Sequence, residues 1–130
     1  MLKISETEFR KIVTEAIDAV PEPYAARLNN VAFIVEDLPS KSQRAKLGLG
    51  AHDLLFGLYE GVPLPQRQGA TKLLPDKITI FKKPLEQVSH NPADLTERIR
   101  HTVWHEVAHY FGLDHDRIYE LERRARQRLE

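Results

Sequence analysis

Phe9, Ile12, Val13, Ala16, Ile17 and Val20 recur at the three- and four-residue intervals of one helical face, with polar residues filling most positions between them. Ser5-Glu6-Thr7-Glu8 has the spacing of a capping box, and Pro21 and Pro23 end the pattern. The first expected element is therefore an amphipathic helix. Asn29-Asn30 signals a turn before Val31-Ala32-Phe33-Ile34-Val35, a β-branched and aromatic run that reads as a strand buried on both faces and closed by Pro39. The polar stretch from Ser40 to Lys46, followed by Gly48 and Gly50, reads as a loop and as the most flexible segment. Leu54 to Glu60 is a second strand candidate, weakened by Gly57, and the region from Gly61 to Gly69, with Pro63 and Pro65, reads as a loop. Lys77-Ile78-Thr79-Ile80-Phe81-Lys82 alternates more cleanly and is expected to form a third strand.

Asn91-Pro92 offers an N-cap followed by proline at the first helical position, and Asp94 falls in the first turn, where a carboxylate suits the helix dipole. A long helix is expected from there to Phe111, stopping at Gly112. Beyond Asp114, Ile118, Leu121, Ala125 and Leu129 keep helical spacing, and the arginines opposite them read as a solvated face because Glu120/Arg124 and Glu122/Arg126 can pair locally.

The chain of 130 residues is sized for one compact domain spanning 1–130. Nineteen Lys and Arg against nineteen Asp and Glu give no net charge, so binding to nucleic acid through counterion release is disfavoured. No run approaches the length of apolar chain that a membrane span requires, and the first residues carry no apolar targeting core; a soluble, cytoplasmic protein is expected. Cysteine is absent, so a metal would have to be held by His, Asp or Glu.

That restriction gives weight to His105-Glu106-Val107-Ala108-His109-Tyr110-Phe111-Gly112-Leu113-Asp114-His115. Two imidazoles four residues apart on a helix project from one face, so their nitrogens can converge on a single Zn²⁺. Glu106 lies beside them as a candidate general base. Gly112 can adopt a positive φ without steric cost, turning the chain so that His115 returns as a third ligand. Three protein ligands leave the fourth position for water, as in catalytic zinc sites. A chance HExxH is expected about 0.03 times in a chain of this composition, and roughly 10⁻⁴ times or fewer with the later Gly and His fixed. Chance is thus a poor explanation. Ile99, Val103, Val107 and Tyr110 supply the same helix with an apolar face, leaving the histidines on the side facing a cleft.

The segment resembles the HExxHxxGxxH signature of metzincin-type zinc peptidases. Taken with Asn30 to Asp37, Gly57 to Leu64 and Ile80 to Leu85, the chain from about Phe9 to about Leu121 is similar to the small bacterial zincin-like metallopeptidase family. The resemblance implies an α+β, minimal zincin-like fold: a small mixed β-sheet packed on an active-site helix, with N- and C-terminal helices, and zinc in an open groove between that helix and an edge strand. The only methionine is Met1, so the methionine turn of metzincins proper is missing.

The expected activity is zinc-dependent hydrolysis of a peptide or protein substrate, with His105, His109 and His115 as ligands and Glu106 moving the water's proton. From another class comes a zinc-stabilised module that binds a peptide or protein without turnover; Glu106 and an open coordination position favour the enzyme. His101 continues the histidine stripe one turn back, at the cleft rim or the surface, and His52 and His90 read as surface residues. Asp114 and Asp116 are candidates either to orient His115 or to cap the last helix. Tyr59 is a candidate oxyanion donor on a strand edge, with Gly57 and Gly61 allowing a peptide to approach or marking a bulge. Tyr110 and Trp104 read as core.

Overall fold

The computed structural model describes residues 2–61, 75–114, 116–121 and 123. Helix α1 (Glu6–Asp18) is capped by Ser5, whose side chain accepts from the Glu8 N–H, and buries Phe9, Val13 and Ala16. A short α2 (Tyr24–Arg27) leads to strand β1 (Val31–Glu36), and α3 (Lys41–Leu47) precedes β2 (Gly57–Glu60). Strand β3 (Asp76–Phe81) runs directly into α4 (Lys82–Val88), and α5 (Pro92–Tyr110) follows. Residues 116–121 are helical as well. The sheet is mixed, in the order β1-β3-β2, with β1 parallel and β2 antiparallel to β3. These elements form the small-sheet α+β architecture that the sequence resemblance implies.

The core lies between one face of the sheet and the helices. Ile78 and Ile80 of β3 meet Phe9 and Val13 of α1 and Leu95, Ile99, Val103 and Val107 of α5. Each such side chain, fully withdrawn from water, contributes about 1.5–3 kcal/mol of transfer free energy. Asn91 caps α5 through its side-chain oxygen, which accepts from the Asp94 N–H, and Pro92 occupies the start of the helix. The Asp94 carboxylate accepts from the His90 N–H and pairs with Arg98; the first contact chiefly, then the second, holds its pKa below the ordinary carboxylate value.

Three expectations change. Residues 40–46 are not a loop: Ser40 and Gln43 form a reciprocal capping box, and Gly48 closes α3 at φ 66°. Strand β1 is not buried on both faces; its residues are half-buried up to an exposed Glu36, because it pairs only with β3 and sits at the sheet edge. Doubly covered burial belongs instead to β3, where even Thr79 is withdrawn from water, its hydroxyl without a hydrogen-bond partner. The second strand is also shorter than the apolar run, beginning at Gly57. The expected loop from Gly61 to Gly69 and the expected pairs Glu120/Arg124 and Glu122/Arg126 fall largely outside the described residues.

Glu86 ties the start of the chain to α4. Its buried carboxylate accepts from the Ile4 N–H at 2.9 Å and pairs with Lys82 at 3.1 Å. The isosteric change Glu86→Gln can keep an acceptor for Ile4 but loses the ion pair, and is expected to lower unfolding stability by about 1–2 kcal/mol in urea titration. An unchanged midpoint would show that the pair contributes nothing net.

Candidate metal centre

The phase of α5 decides what its residues face. At about 100° per residue, Ile99, Val103, Glu106, Val107 and Tyr110 fall on one side of the helix, and His101, His105 and His109 form a stripe on another. All of the first group are buried, His105 and His109 are half-buried and His101 is exposed. Glu106 is therefore a carboxylate inside the apolar face, next to the histidine stripe.

His105 and His109 bring their Nε2 atoms to 3.1 Å, with the rings edge to face. Two nitrogens bound to one tetrahedral Zn²⁺ at about 2.0–2.1 Å stand roughly 3.3 Å apart, so the pair has the spacing of two ligands on one ion. The ligand atoms of His105, Glu106 and His109 all lie within 4.8 Å of one another, a group that could hold a metal ion. His101 stacks beside His105 with ring centroids 6.2 Å apart but does not join that group. His115 lies outside the described residues.

The helix ends as its glycine requires. Gly112 has φ 72°, its N–H donates to His109 O at 3.0 Å, and the Leu113 N–H donates to Ala108 O at 3.1 Å. These are the paired bonds of a Schellman motif, which turns the chain out of the helix immediately after His109. Asp114 then accepts from the Arg117 N–H at 2.8 Å, so its carboxylate caps the next helix.

Strand β2 positions Glu106 from the other side. A Cβ added to Gly57 would stand 2.6 Å from Thr102 Cγ2 and 3.1 Å from Glu106 Cγ, so α5 and β2 approach too closely there for any side chain. Gly57 thus serves the approach of the active helix to the strand; it begins β2 rather than bulging it. Thr102 turns its hydroxyl to Arg98 O at 2.7 Å. Burial in this contact raises the Glu106 carboxyl to about 7, opposed by a hydrogen bond donated by the Tyr59 main-chain N–H. The Tyr59 hydroxyl donates to buried Asp76 at 2.8 Å, and its ring is edge-on to Tyr110. What Tyr59 brings to Glu106 is its backbone. Gly61 packs where any Cβ would strike the same Asp76 carboxylate, so it too serves internal packing.

Tyr110 is core as expected, fully buried, its hydroxyl donating to Asn29 O. Trp104 packs on Tyr24 at 5.3 Å, and Phe111 meets Tyr24 at 5.2 Å, which clamps the end of α5 against α2. His52 and His90 are exposed. Beside the histidines opens a cleft of about 390 Å³, lined also by Leu47, Leu55, Gly57, Leu58 and Tyr59. These leucines, with Asp76 and Thr102, escape a reading of the sequence. The Ser40/Gln43 capping box and Gly48 were the signal for the helix that carries Leu47.

A family model described as zincin-like metallopeptidase matches residues 28–125. The matched span contains all three sheet strands and α5, and leaves out α1. No curated protein matches the chain.

Proposed function

The chain belongs to the zincin-like metallopeptidase family, whose members act on peptides or proteins with a metal that is typically zinc, and from that premise we propose that it is a zinc-dependent peptidase in which His105, His109 and His115 hold the ion and Glu106 moves the proton. The observation that carries this reading is the 3.1 Å convergence of the His105 and His109 nitrogens beside a buried carboxylate that sits between them in the sequence. The donor set suits zinc: imidazole nitrogens without thiolates, in a chain without cysteine. When bound, zinc supplies Lewis acidity to a water and to the scissile carbonyl.

The chain's own residues account for the remaining work. Glu106, held by the Tyr59 N–H and shielded from bulk water, accepts a proton as the water oxygen attacks the carbonyl carbon. It returns that proton to the amide nitrogen as the C–N bond breaks, so the products are a carboxylic acid and an amine. Gly57 lets Glu106 lie against β2 without displacing either element.

The test is cleavage of an unbiased peptide library by the chain, abolished by a chelator and restored by added zinc. Binding of peptides without cleavage would move the chain to the non-hydrolytic module. Zinc is also expected to stabilise the fold: ligand in excess of its dissociation constant by about 1,000-fold adds roughly 4 kcal/mol. Differential scanning calorimetry should therefore show a melting temperature that rises with zinc, falls with chelator, and no longer responds in the same range in His109→Ala. A response retained in full by that variant would remove His109 from the ligand set.

A further inference from the structure

The cleft has two chemically different walls. One presents His105, Glu106 and His109; the other presents Leu47 from the end of α3 and Leu55 from the approach to β2. Leu47 is 45% exposed and neighbouring Leu54 is 41% exposed. Single exposed leucines need no explanation, but leucines gathered along one cleft do.

Polar bonds, rather than its own burial, hold Leu47 there. The capping box fixes the start of α3, and Gln43 Nε2 donates to Glu60 Oε1 at 3.0 Å, tying the helix to the far end of β2. The Arg44 guanidinium donates to the carbonyl oxygens of Gly50 and Asp53, bracing the segment between α3 and β2. Among the described residues, no Lys or Arg lines the cleft, and its acidic residue is Glu106. A polar side chain entering along the leucines would lose water with no side-chain partner to meet it there.

We propose that Leu47 and Leu55 form the specificity wall of this site, selecting peptides that place an uncharged, apolar side chain of leucine type beside the bond held at His105, Glu106 and His109. This rests on the peptidase reading and names its substrate class. A one-sided apolar wall discriminates less than an enclosed pocket, so the preference for leucine over asparagine is expected near the lower end for such contacts, about tenfold.

The zinc-loaded Glu106→Gln protein is titrated with two dye-labelled hexapeptides, blocked at both ends and identical except for leucine or asparagine at the two central positions. The leucine peptide is expected to bind about tenfold more tightly, and Leu47→Asp to bring the ratio below about threefold. Zinc content and melting temperature should be unchanged, because Leu47 is already half in water; Leu55→Ser provides a second, milder variant. Equal affinities, no binding of either peptide, or a preference that survives both substitutions overturns the proposal. Incubation of the same peptides with the unmodified chain separates the two readings. Leucine-selective, Leu47-dependent binding without cleavage supports the wall and removes the peptidase reading. Glu106-dependent cleavage of both peptides at equal rates overturns the wall and leaves that reading standing.

Discussion

Glu106→Gln is expected to lower the rate of peptide hydrolysis by about 10²–10⁴-fold, the range for loss of a general base, and to leave zinc stoichiometry unchanged. The substitution keeps the shape of the side chain and an acceptor for the Tyr59 N–H, so α5 and β2 should remain in register. It removes the group able to accept a proton. Elemental analysis establishes whether the metal is retained, and initial rates on a cleaved library peptide establish the loss. Wild-type turnover in this variant would eliminate Glu106 as the base. Joint loss of metal and activity would instead make Glu106 a ligand, which its place among the atoms within 4.8 Å makes a concrete alternative outcome.

Gly57→Val is expected to be the most damaging change outside the histidine pair and Glu106. A Cβ there already falls 2.6 Å from Thr102 Cγ2, and valine adds two methyl groups beyond it. Overpacking of this kind costs about 3 kcal/mol or more, which for a domain of this size lowers the melting temperature by roughly 10 °C. Strand propensity predicts the opposite sign, since valine is favoured over glycine in strands. A fall in melting temperature therefore isolates the contact between β2 and α5. Protein that still folds should lose activity as well, because relief of the clash pushes Glu106 away from Tyr59. Gly57→Ala should act in the same direction with smaller amplitude, and adding Thr102→Ser, which deletes the nearest methyl group, should recover part of the loss. A melting temperature unchanged in Gly57→Val would show that the helix shifts freely and that the close approach is incidental.

Local chemistry was legible wherever its cause was local. The α1 stripe, the Ser5 cap, the Asn91-Pro92 start of α5 and the stop at Gly112 each rest on residues within a few positions of one another, and each is found where the sequence places it. The same holds for the His105/His109 pair, because one turn of helix suffices to bring the imidazoles together. Helix α3 was equally local, with its capping box and glycine stop, but the polarity of Ser40 to Lys46 gave no apolar face to recognise. Its reason for being helical is capping, and what fastens it is a bond to Glu60, seventeen positions away.

The sequence by itself determined the spacing of His105, Glu106 and His109 on one helix, the glycine that ends that helix, and the family to which the pattern points. Only the tertiary structure decided what surrounds those side chains. Which strand becomes central depends on pairing partners distant in the chain, and so the burial expected for β1 fell to β3. The high pKa of Glu106 arises because β2 packs against α5 at Gly57 and desolvates the carboxylate, an effect that the hydrogen bond from the Tyr59 N–H only partly offsets. Leu47 reaches the cleft because polar clamps hold α3 against β2 and the segment before it. Each of these is a contact between segments far apart in sequence, and periodicity, which reports only a residue's own neighbours, carries no record of them.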